Sequence, residues 1–208
     1  MTQLALAAKP SIHSRIQPKT IDHIFYIYNE IEGPDSVVEI VEALDLAQEG
    51  DTIHIHIASP GGDLEGSIVL IHAMLRTKAH VVCHADGEVE SAATLLFFAG
   101  REYVVNPFAH FMFHDASFGV AQKVNEQRKR LESVTNLLQS ICTFLYYPAF
   151  TYDEIDEILE GRDVYVTADE MVERINEGLQ RAEDEENEEE AEYQQELLTE
   201  CGEEVVPH

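Results

Sequence analysis

Residues 53–62 read Ile53-His54-Ile55-His56-Ile57-Ala58-Ser59-Pro60-Gly61-Gly62, and this stretch decides the fold class. Apolar and polar residues alternate over the first five positions, the period of a strand with one buried face. The glycine pair then allows a tight exit that can present backbone N–H groups to an anion. A helical pattern from Leu64 to Leu75 follows, so the unit is strand, turn, helix. The turn is neither a dinucleotide fingerprint nor a P-loop: no Gly-Lys-Ser/Thr follows, and Asp63 and Glu65 repel phosphate.

Outward from this unit the same rhythm repeats. A strand is expected within Ile21–Ile31, where Ile24-Phe25-Tyr26-Ile27-Tyr28 is β-branched and aromatic. A helix opens at Pro34-Asp35-Ser36, with Ser36 and Glu39 at capping-box spacing, and closes before Gly50. Downstream come strands at His80–His84, Tyr103–Val105 and Phe111–Phe113, with a helix at Ser91–Ala99 between the first two. A long amphipathic helix spans Val124–Tyr147 and stops at Pro148. A short helix at Tyr152–Leu159, a strand at Val164–Val166 and a last helix opened by Thr167, with Glu170 as its box partner, complete the order. Alternation of this kind predicts an α/β protein with a mainly parallel sheet.

Charge sets the partners. The chain has 208 residues with 13 Lys+Arg against 40 Asp+Glu, a formal net charge of -27. Such a chain repels phosphate backbones and anionic bilayers, so no nucleic acid and no membrane is expected as a partner. No basic residue lies beyond Arg181, while residues 182–208 hold 12 acids. That stretch reads as a solvated tail or helix extension, or as a docking strip for a basic partner. The expected organisation is an irregular arm at 1–20, a folded domain at 21–181 and the acidic tail at 182–208. Cys83, Cys142 and Cys201 are widely spaced with no C-x-x-C, which points to reducing cytoplasm. The N-terminus makes a poor signal peptide, and no apolar run approaches a membrane span.

Ser91 follows a strand, opens an apolar helix and has small neighbours, Ala92 and Ala93. Serine in that place is more often a helix N-cap than a nucleophile. His114 ends a strand of bulky residues and Asp163 precedes another, so nucleophile, base and orienting acid are all on hand. Asp115 is the lesser candidate for orienter, because adjacent strand residues face opposite sides.

The ordered set Ser59-Pro60-Gly61-Gly62, Gly87 to Ser91, Phe111-Met112-Phe113-His114, Arg162-Asp163, Thr167-Ala168-Asp169-Glu170 and Gly178-Leu179 resembles the proteolytic subunit of the Clp protease, from about Ile21 to Leu179. The resemblance implies a crotonase-like (ClpP-like) spiral of strand-helix units with a protruding handle helix from Val124. It implies catalysis by Ser91, His114 and Asp163, with oxyanion-hole donors at Gly62 and Ala92 and no cofactor or metal. It further implies polypeptide substrates, a homo-oligomeric, heptameric ring and a separate AAA+ unfoldase, since the chain has no ATPase motif. Ala93 stands where the family usually has glycine, Glu90 replaces a small residue, and Gly161 replaces an acid that helps couple stacked rings. The shortened form resembles those encoded by phages.

Other readings stay open on the residues alone. His54 and His56 share the polar face of one strand without a third ligand in an obvious position, so they read as solvated side chains rather than a metal site. Lys123 or Lys129 could serve as the base of a serine-lysine protease, but both lie on a charged helix face. An enoyl-CoA hydratase-like enzyme lacks an evident basic pocket for nucleotide phosphates. A catalytically inactive assembly or adaptor subunit is the non-enzymatic alternative. Glu90 either raises the pKa of His114 or serves only the helix end.

Overall fold

The isoleucines of β2 (Thr52–Ser59) do what their spacing demands: Ile53, Ile55 and Ile57 are fully buried, and the residues between them lie on the opposite face. The structure, a computed structural model, describes residues 20–115 and 124–202, with side chains over 20–115 and 131–188. Nearly all of the arm expected at 1–20, together with Lys123 and the side chain of Lys129, lies outside those residues.

β2 sits between β1 (Asp22–Ile27) and β3 (His80–Glu90) in a six-stranded sheet of order β1-β2-β3-β5-β6, with β4 (Glu102–Val105) also on β3. All pairings are parallel except that of β5 (His110–Phe113) with β6 (Val164–Thr167). β3 is long enough to serve two partners. Its residues Val82–Ala85 pair with β4, and its last residues Glu88–Glu90 pair with β5. The expected strand at His80–His84 therefore stops too early. Asp86, Gly87, Glu88 and Glu90 look like a loop in sequence, yet they remain strand because one edge of β3 is handed from β4 to β5.

Helices α1 (Val38–Leu46), α2 (Leu64–Arg76) and α3 (Ala92–Phe98) supply Leu44, Leu70, Met74 and Leu96 to the core shared with β2 and β3. Burying each such side chain contributes on the order of 1.5–3 kcal/mol. The expected capping box at Ser36 does not form. Ser36 lies inside a 3-10 turn, Pro34–Val37, and its hydroxyl donates to Gly33 O at 2.7 Å. The reciprocal box occurs instead at Thr151 and Glu154, at the start of α5 (Tyr152–Leu159).

α4 (Val124–Tyr146) buries Leu138, Cys142, Leu145 and Tyr146 toward its C-terminal end, while Leu131 is exposed. α6 (Ala168–Gly202) continues unbroken into the acidic stretch, with Tyr147 OH donating to Glu185 and Arg181 to Pro148 O. Among the described residues no helix is long and apolar enough to cross a membrane.

The sheet face opposite the buried isoleucines carries a side-chain network in place of the solvated histidines expected there. His54 Nδ1 lies 3.0 Å from His84 Nε2, and His56 Nδ1 lies 2.8 Å from Asp86 Oδ2. Tyr28 OH and Asn106 Nδ2 also donate to Asp86, both at 2.6 Å. The rings of His56 and His84 stack at 4.1 Å.

Candidate active site

The turn that leaves β2 is locked from within. Buried Ser59 donates to Asn29 O at 2.7 Å and accepts from Gly61 N at 3.1 Å. Gly61 and Gly62 follow with φ of 91° and 135°, where a side chain is strained. The sites also leave no room for one. A Cβ on Gly61 would lie 2.6 Å from Glu90 O and 2.8 Å from Ala92 N, so this turn rests directly on the chain around Ser91. Ile31 donates to Gly61 O and accepts from Asp63 N, at 2.8 and 2.7 Å. The Gly62 N–H points away from Ile31, as the alternation of a parallel bridge requires.

Ser91 is the one non-glycine residue with positive φ among the described residues, at φ 53°, ψ -126°. Such a conformation costs roughly 1–3 kcal/mol and persists only when its surroundings over-determine it. Here they do. The Ser91 N–H donates to Met112 O at 2.9 Å, and Ser91 O accepts from Thr94 N at 3.0 Å and from Thr94 Oγ1 at 2.6 Å. The side chain caps nothing, which removes the helix-cap role that sequence statistics favour. Ser91 is half-buried. Ala93 is fully buried in the core, so its methyl packs inward.

The other two candidates, His114 and Asp163, adjoin the ends of β5 and β6. In the β3–β5 ladder Glu90 lies beside Met112, and in the β5–β6 ladder Phe113 faces Val164. Continued by one residue, these registers would set Ser91 beside Phe113, and His114 opposite Asp163. His114 is half-buried and Asp163 exposed. Among the described residues no hydrogen bond joins Ser91 Oγ to His114, or His114 to Asp163. The observed pairs thus end one residue short of each of the three candidates. Gly61 packs against the serine and Ala92 follows it, and among the described residues neither the Gly62 nor the Ala92 N–H has an acceptor.

Glu90 is near His110, its carboxylate 3.9 Å from Nε2. With Glu88 these residues bring one donor atom each within 4.8 Å of one another, a set that could hold a metal ion. This set was not foreseen, because Glu88 and Glu90 read as loop and only the observed register with His110 puts them on one face.

Sheet, strained residue and glycine turn define a class: α/β proteins that pack a glycine turn against a strained serine at the end of a central strand. The Clp protease family model matches residues 18–178, and the chain belongs to that family. The resemblance read from the ordered motifs is thereby shown, and with it a fold of the ClpP type.

Proposed function

We propose that this chain is a serine endopeptidase acting through Ser91, His114 and Asp163. The observation that supports it most is the strained, main-chain-pinned Ser91 at the end of a strand register that, continued by one residue, would bring His114 opposite Asp163. Membership of a peptidase family raises the same reading.

In this mechanism Ser91 Oγ attacks the scissile carbonyl carbon as His114 takes the hydroxyl proton. The substrate oxygen becomes an oxyanion between the N–H groups of Gly62 and Ala92. Collapse of the tetrahedral intermediate breaks the C–N bond, and His114 returns the proton to the leaving amine. Water, deprotonated by His114, then hydrolyses the ester and frees Ser91. Asp163 holds the imidazole in the required tautomer. Neither metal nor cofactor enters the scheme.

Unfolded polypeptides are the proposed substrates, cleaved inside a homo-oligomeric, heptameric ring in the cytoplasm and delivered by a separate AAA+ unfoldase. The domain limits proposed from sequence keep all three site residues in 21–181, leaving 182–208 as an acidic extension.

A fluorophosphonate probe, peptide hydrolysis and native mass spectrometry test this together. The wild type is expected to label once per chain, to cleave short peptides without ATP and to assemble. Ser91→Ala should assemble alike while neither labelling nor cleaving. Cleavage retained in Ser91→Ala removes the mechanism, and a monomer removes the chamber.

A further inference from the structure

We infer that Thr94 and Tyr146 are positioning residues that aim the Ala92 N–H at the reacting carbonyl, through a directed chain of hydrogen bonds running from α4 to the peptide after Ser91. The inference rests on the peptidase reading above.

Proton counting fixes the direction of the chain. Thr94 Oγ1 has a single hydrogen, and it goes to Ser91 O at 2.6 Å, an oxygen that can only accept. Tyr146 OH lies 2.7 Å from Thr94 Oγ1, so Tyr146 must be the donor in that pair. The order is Tyr146 to Thr94 to Ser91 C=O.

The geometry of the peptide unit gives this chain a consequence. In a planar trans peptide the C=O and the following N–H point in opposite directions. Anchoring Ser91 C=O with Thr94 N and Thr94 Oγ1 on one side therefore fixes where the Ala92 N–H points on the other. A strained residue such as Ser91 would otherwise relax by rotating this same peptide.

Burial keeps the chain intact. Thr94 is fully inaccessible and Tyr146 nearly so, packed against Phe98 and Phe113. Burial pushes the Tyr146 phenol well above its ordinary range, so it remains a protonated donor throughout the working range of pH. The effect of the chain on catalysis is consequently independent of pH.

The test compares Thr94→Val, Thr94→Ser and Tyr146→Phe with Ser91→Ala in the full chain, using peptide hydrolysis, binding of a peptide boronate and melting temperature. Outright loss of an oxyanion donor costs about 10²–10³ in kcat. Misaiming one is expected to cost Thr94→Val roughly 10- to 100-fold in kcat. KM should stay nearly constant, and boronate affinity should fall in parallel. Tyr146→Phe should lose a smaller factor of the same kind, equal at every pH. Thr94→Ser keeps the hydroxyl and is expected to restore most of what Thr94→Val loses.

Thr94→Val leaves the buried Tyr146 hydroxyl without its acceptor and can cost the fold. In that case Tyr146→Phe and the double variant Thr94→Val/Tyr146→Phe, which removes both partners, decide the matter. Full kcat and boronate affinity in the folded variants, with Ser91→Ala inactive, overturns this inference alone. Cleavage by Ser91→Ala overturns the peptidase reading, and this inference falls with it.

Discussion

The two ends of β3 are held in different ways. At its C-terminal end the chain is fixed by main-chain groups: Ser91 N–H to Met112 O, Thr94 N to Ser91 O, and the Gly61 turn pressed against Glu90 and Ala92. Further back along the strand the fixing groups are side chains, His84 against His54 and Asp86 against His56, Tyr28 and Asn106. Amides do not titrate near neutrality and imidazoles do. The geometry at Ser91 should therefore be indifferent to pH, while the middle of the strand should make stability respond to pH.

The largest expected effect tests the catalytic end. Asp163→Asn should lose on the order of 10⁴ in kcat, as when an orienting aspartate ceases to hold its histidine's tautomer. Asp163 is exposed, so the melting temperature should hardly move. Steady-state kinetics with a thermal scan checks both. Near-wild-type kcat would mean that the step of register beyond Phe113 and Val164 does not bring Asp163 to work on His114.

How far these features could be read beforehand follows the range of the forces involved. Ile53, Ile55 and Ile57 announce their strand because burial alternates along a few residues. Ser59 to Gly62 announce a turn because glycine is needed there locally. The fold type and Ser91, His114 and Asp163 came from an ordered set of short motifs. Pairings made by the sheet or the core left no local trace: His54 meets His84 across 30 residues, and Thr94 meets Tyr146 across 52. The Ser36 box failed for a related reason. Its spacing was right, but Ser36 turned its hydroxyl to Gly33 O.

An intermediate effect probes the middle of β3. Burial, with His56 and His54 close by, pulls the His84 pKa below its ordinary value, against Asp86 and Glu102, which act the other way. Asp22, Tyr26, Tyr28, Thr52, His80 and Asn106 are further polar groups on this face. Because the folded state disfavours the imidazolium, the unfolded chain takes up the proton first, near pH ~6.5. Stability is then greatest above that pH and falls as pH drops toward the lowered folded pKa. Asp86 acts in a lower window. Burial opposes its charge, but hydrogen bonds from Tyr28 and His56 prevail and hold its pKa down, so its contribution is lost only as pH falls through that depressed value. Melting temperatures between pH 8 and 5 should decline for the wild type and flatten for His84→Gln. Equal slopes would show that the network does not couple to folding.

The smallest effect concerns Glu90, the residue where the two regimes meet. Its carboxylate approaches His110 to 3.9 Å, and its register neighbour on β5 is Met112, two residues short of His114. Two residues of strand span about 6.6 Å. At that separation a charge pair in a largely aqueous setting is worth roughly 0.6 kcal/mol, and less with salt present. A coupling this small should leave the acid limb of kcat/KM in Glu90→Gln close to that of the wild type. Profiles of kcat/KM against pH for both forms, at low and at physiological salt, measure the shift. A fall of a full unit or more would place the carboxylate against His114 rather than His110, and the catalytic end of β3 would then carry a titrating side chain of its own.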